Sequence, residues 1–173
     1  MLFASVTVAL VVLHPREATA AEEDAEESSS AAMDANRGLV WGFGPVLLLP
    51  TDGGPLGGGL DLGARYGFKA GPTVLAPGGL AAGYFFSGRF VGTVMPTFRV
   101  TVPAGPLAPF VMGGLGPGWV SNPGQGGLAM LAGGGLLVHF GRAVAIGGEV
   151  TYQKITNTEF ESVAIGPSIR IGG

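Results

Sequence analysis

Near its C-terminal end the chain alternates in steps of two. Val144, Ile146, Val150 and Tyr152 share one face, and Glu149, Thr151 and Gln153 share the other. After a polar stretch from Ile155 to Ser162 the alternation resumes. Val163, Ile165, Ile169 and Ile171 now oppose Ser162, Ala164, Gly166, Ser168 and Arg170. Successive side chains of a strand point to opposite sides, so the pattern predicts a hairpin with one apolar wall and one polar wall. Two earlier segments repeat it. Leu60, Leu62, Ala64, Tyr66 and Phe68 oppose Asp61 and Arg65, with Lys69 just beyond; Phe90, Val94, Phe98, Val100 and Val102 oppose Thr93, Thr97, Arg99 and Thr101.

Between Gly38 and the end, runs of this kind recur with turn residues between them. Eight strands are predicted: Leu39–Leu49, Gly57–Phe68, Thr73–Phe86, Phe90–Val102, Pro109–Val120, Leu128–Phe140, Val144–Ile155 and Ser162–Ile171. Four alternate cleanly; the other four are apolar or glycine on both faces. Gly and Pro recur too often for a stable helix. Short connections (69–72, 103–108, 141–143) take turns with longer ones (51–56, 87–89, 121–127, 156–161), which places the two kinds at opposite ends. Strands of roughly 9–11 residues suffice to cross a bilayer at the usual tilt. An even number of such strands predicts an all-β fold: an eight-stranded antiparallel up-and-down transmembrane β-barrel over 38–173.

Aromatic placement follows the same plan. Trp41, Phe43, Tyr66, Phe68, Phe110 and Phe140 fall near the short-turn end, and Tyr84, Phe86, Phe90, Trp119 and Tyr152 near the other. Two belts at the strand ends are what the two interfaces of a membrane favour.

Composition sharpens the choice of solvent. The chain has 33 Gly and 13 Pro, is 47% hydrophobic, and is only 12% charged, against about 25% in ordinary soluble domains. Glycine has no three-residue period, which excludes collagen, and the apolar content excludes glycine-rich disorder. A water-facing sheet wall would need more charge than this. There is no cysteine, so neither a disulfide framework nor a thiolate metal site is available. From Gly38 onward seven basic and five acidic residues leave +7 − 5 = +2, too weak a balance for nucleic-acid binding.

The segment before the strands has a different character. Leu2 to Leu13 is an apolar run followed by a breaker and Ala18-Thr19-Ala20-Ala21, which reads as a secretory signal peptide over 1–20. At twelve residues the run is short of the roughly 20 needed to span a bilayer. Residues 21–37, with Glu22, Glu23, Asp24, Glu26, Glu27 and Asp34, read as a flexible acidic linker.

With the apolar face outward, the lumen would receive Asp61, Arg65, Lys69, Arg99, Glu149 and Arg170. Charges so buried must be paired, and two carboxylates facing four bases can form a network. Small residues (Gly42, Gly44, Gly133, Gly135) would make room for the arginines. The bland role of such a network is to fill the barrel; the sharper one is a polar passage for water or a small solute. Val74, Leu75, the run Leu80 to Phe86, Met112, Leu115, Leu131 and Leu137 leave one side apolar on both faces, which reads as tight packing or as an apolar ligand cavity. No catalytic set emerges, and neither a metal nor a cofactor is implied. His139 is followed two residues later by Gly141, where outer-membrane lipid hydrolases of the lipid A deacylase type carry serine.

On the segments GGGLDLGARYGF, GRAVAIGGEVTYQ and SVAIGPSIRIGG, the chain from about Gly38 resembles the small eight-stranded outer-membrane β-barrel family, of the OmpA-barrel, OmpX and OmpW type. The resemblance implies an outer-membrane location in a Gram-negative envelope, contact with outer-membrane lipids, insertion by the outer-membrane assembly machinery, and a monomer. Family members usually end in an aromatic residue, where this chain reads Ile171-Gly172-Gly173. The expected function is structural or one of minor small-solute permeability, without enzymatic activity. The alternative is a secreted, lipocalin-like soluble barrel that binds an apolar small molecule.

Overall fold

The computed structural model describes residues 32–172 except Ser87 and Arg142. The expected signal peptide and most of the linker lie outside these residues. Eight strands follow: β1 Gly38–Pro50, β2 Gly57–Ala70, β3 Thr73–Phe86, β4 Arg89–Thr101, β5 Leu107–Val120, β6 Gln125–Phe140, β7 Val144–Ile155 and β8 Glu161–Gly172. Their ends differ from the sequence-based ones by three residues at most. Each pairs antiparallel with its neighbour in sequence, and β8 returns to β1, so the sheet closes into a barrel without a free edge. Tight reversals support this order. At the short-turn end Gly71 and Gly141 adopt φ of 62° and 72°, a left-handed conformation that costs glycine little.

The alternation resolves into an outside and an inside. Leu60 and Leu62 are 65% and 57% exposed, and Val94, Val111, Ile146, Val150, Ile165 and Ile171 also point outward. Asp61, Arg65, Arg99, Glu149 and Arg170 are buried within. A lipocalin-like barrel needs the opposite arrangement, with oil inside and charge outside, so that alternative fails on side-chain direction. The apolar side of the lumen is packed: Leu80, Tyr84, Met95, Met112, Leu131 and Leu137 belong to one buried cluster.

Prolines follow the same logic. Pro45, Pro77, Pro96, Pro117 and Pro167 all face outward in the middle of strands. Proline has no N–H to give to a ladder. Pairing lapses where they sit, between Phe43↔Ile169 and Leu47↔Ile165 on the β1–β8 seam and between Thr93↔Gly118 and Thr97↔Gly114 on β4–β5.

Both mouths are occupied by the chain itself. At the short-turn end residues 32–35 form a helical turn, and Ala32, Ala35 and Asn36 are buried there. A Cβ at Gly67 would run into the Asn36 carbonyl, and one at Gly172 would crowd that of Ala35. The end of the expected flexible linker is therefore part of the packed barrel, because small side chains and two facing glycines let it enter. At the long-loop end Phe160 folds inward and stacks on Tyr84, with centroids 6.1 Å apart and planes 12° from parallel. Above it lies a cavity of about 170 Å³ lined by Phe86, Arg89, Glu159 and Phe160, among others.

Candidate functional site

Among the described residues, charge, burial and strand geometry converge in the lumen. Strand β8 brings in Arg170, and neighbouring β7 brings in Glu149, four residues along from Ala145, the direct partner of Arg170. Arg170 Nη2 donates to Glu149 Oε2 at 2.6 Å, with the two side chains 4% and 7% exposed. Glycine makes that reach possible. Gly42 on β1 sits opposite Arg170, and any Cβ there would overlap the guanidinium. Asp61 enters from β2 beside Gly44.

Arg65 also enters from β2, four residues on from Asp61, and Arg99 enters from β4. The stem of Arg65 lies across Gly78 of β3, so a Cβ at that glycine would collide with it. Arg99 on β4 places its guanidinium carbon 3.4 Å from the centroid of Phe110, a stacking that satisfies the face of the group and leaves its edge. Beyond the charges, Gln153 Nε2 donates to Tyr84 Oη at 2.8 Å and to Thr151 Oγ1 at 3.3 Å. This polar column runs up to the Phe160 stack.

Of the six residues expected in the lumen, the structure brings five inside: Asp61, Arg65, Arg99, Glu149 and Arg170. Lys69 is exposed. It shares their parity but sits one residue from the end of β2 at the short-turn rim, where its long stem reaches water. The aromatic residues also divide. Trp41, Phe43, Tyr66, Phe68, Phe140, Trp119 and Tyr152 are exposed, and Phe90 packs its ring 5.3 Å from that of Phe85. Phe110 and Tyr84 are buried in the lumen, because the first is in phase with Ala108 and Met112 and the second with Leu80 and Ala82. Phe86 lines the mouth cavity instead of an outer belt. Phe85, which is 69% exposed, takes the outward position next to it.

Asn36 and His139 are a pair that sequence patterning did not reveal. Asn36 Nδ2 lies 2.8 Å from His139 Nε2 and 2.8 Å from the Ala32 carbonyl oxygen. The amide donates to the ring nitrogen, which fixes the helical turn in the short-turn mouth. The inward parity of His139 was readable; its partner, in a segment without alternation, was not.

No protein-family model matches the chain, and no curated protein matches its sequence. Solved structures do match. Neisserial surface protein A superposes with a TM-score of 0.57 at 12% identity, over 78% of this chain and 96% of that one. Ail, the attachment invasion locus protein of Yersinia pestis, gives 0.56 at 14% identity over 79% and 98%. The outer membrane enzyme PagL gives 0.55 at 12% identity over 76% and 99%. At these identities the likeness is one of fold. The chain has the architecture of the small eight-stranded outer-membrane β-barrels.

Proposed function

We propose that the protein is a monomeric outer-membrane β-barrel of a Gram-negative envelope with a structural role and a lumen closed to solutes. The observation that carries this is the direction of the side chains. An apolar wall faces outward along all eight strands, and the charged residues Asp61, Arg65, Arg99, Glu149 and Arg170 are buried inside, with Arg170 on Glu149. In a hydrocarbon solvent that is the arrangement of lowest cost, because every backbone group must be satisfied within the sheet and every charge within the lumen. Outer-membrane lipids then contact the wall, and the outer-membrane assembly machinery inserts the chain. The structural role is preferred over minor small-solute permeability because Ala32–Asn36 fills one mouth and Phe160 the other. A non-enzymatic role accords with His139, whose Nε2 accepts from Asn36 in the short-turn mouth.

The test has two parts. The protein expressed with its leader should pellet with outer membranes and migrate differently on a gel before and after boiling; recovery in a salt-soluble fraction would refute the membrane reading. Refolded into planar bilayers, it should show no steady conductance. Sustained ohmic current from the wild type that changes in Arg65→Ala would instead establish the permeability role. Unchanged lipid A chemistry in cells carrying His139→Ala is the expected result for a barrel without enzymatic activity.

A further inference from the structure

The lumen is one negative charge short, and its unbalanced donors lie together. Arg65, Arg99 and Arg170 face Asp61 and Glu149, so +3 − 2 leaves +1 among the buried groups. Glu149 is engaged by Arg170. Arg65 and Arg99 are each 3% exposed. Among the described residues, Nε, Nη1 and Nη2 of Arg65 and Nε and Nη2 of Arg99 have no hydrogen-bond partner. A buried donor left unmade is costly, more so when it is charged.

Register sets these groups on either side of β3. Arg65 is opposite Gly78 across β2–β3, Gly78 is opposite Thr97 across β3–β4, and Arg99 is the next inward position on β4. Strand β3 contributes only Gly78 and Ala76 between the two arginines. The Thr97 hydroxyl is buried and also lacks a partner among the described residues. The ring of Phe110 covers the face of Arg99, so its chemistry is confined to the edge. Nε and Nη2 are the side-on pair of that edge, a two-pronged donor suited to an anion. If Asp61 turns toward either arginine, one guanidinium edge still remains.

We propose that Arg65 and Arg99, with the Thr97 hydroxyl, hold one small monovalent inorganic anion of the halide class inside the barrel. A single negative charge brings the formal buried sum to zero. The site goes beyond the structural role proposed above. Its failure leaves membrane location and closed lumen as they stand, since fractionation and conductance read those separately.

Bromide is the probe. The refolded full chain is unfolded with urea in sodium bromide and in sodium gluconate at matched ionic strength, and crystals grown in bromide are examined by anomalous scattering. A bound ion makes the unfolding equilibrium constant fall about tenfold for each tenfold rise in bromide above its dissociation constant. The bromide dependence should vanish in Arg99→Met, whose folding is verified by its gel shift on boiling. The anomalous peak should lie between the two guanidinium groups. Equal stability of the wild type in the two salts overturns the proposal, as does an anomalous map without that peak. A peak without any effect on stability means binding at crystal concentration only and overturns it too. So does an Arg99→Met variant with an unchanged bromide slope. Where that variant fails to fold, the wild-type comparison alone decides.

Discussion

Glu149→Leu removes the acceptor from the best-defined interaction in the lumen while keeping a side chain of similar size. Arg170 is 4% exposed and donates to Glu149 at 2.6 Å, and its Nε already lacks a partner among the described residues. The substitution therefore leaves a buried guanidinium without its carboxylate. Breaking a buried pair from one side costs about 3–5 kcal/mol, or roughly two to four orders of magnitude in the folding equilibrium. With a urea dependence of about 2 kcal/mol per molar, the midpoint should fall by about 2 M. Removing both partners, in Glu149→Leu with Arg170→Met, discards the desolvation cost along with the attraction. That variant should lie within about 1 kcal/mol of the wild type. The assay is reversible urea unfolding in lipid vesicles, followed by tryptophan fluorescence and by the gel shift on boiling. Gly42→Val should reproduce much of the single-variant loss, because its side chain claims the space of the Arg170 guanidinium. A single variant that costs less than about 1 kcal/mol, or a double variant whose loss equals the sum of the singles, would refute the pairing.

Lipid exposure predicts a dependence on depth. Val94→Arg, at the middle of β4 and facing outward, should cost about 2–4 kcal/mol, and Leu107→Arg, at the first residue of β5, about 0–1 kcal/mol; equal costs in vesicle unfolding would contradict the membrane placement. Asn36→Ala and His139→Ala remove the same hydrogen bond in the short-turn mouth, so each should cost about 1 kcal/mol. The double variant should cost no more than Asn36→Ala alone, which also loses the bond to the Ala32 carbonyl, and full additivity in the same assay would show that the contact does not form.

Much of this architecture was legible because period-two alternation reports the side of a strand whatever the solvent. The inward set Asp61, Arg65, Arg99, Glu149 and Arg170 followed from parity alone. Parity does not say where a strand leaves the membrane, which is why Lys69, in phase with Arg65, was misplaced. Belt position misled in a similar way. Tyr84 and Phe110 lie near strand ends, but their parity is inward, and phase decides the face. Which charges touch depends on the stagger of the closed sheet, so the Arg170–Glu149 contact could not be read from spacing. Phe160, in a segment expected to be polar loop, turns inward because Tyr84 offers a flat apolar ring at the mouth. The helical turn at 32–35 lacks any amphipathic pattern and carries its signal only in small residues and in Asn36.

The orientation of the wall can be measured without interference from native thiols, since the chain has no cysteine. Single cysteines placed one at a time from Leu60 to Tyr66 and spin-labelled in vesicles report collision with oxygen, which concentrates in hydrocarbon. Accessibility should peak at Leu60, Leu62, Ala64 and Tyr66 and fall at Asp61, Gly63 and Arg65. A profile with its maxima at the odd positions, or with no period of two, would contradict the account.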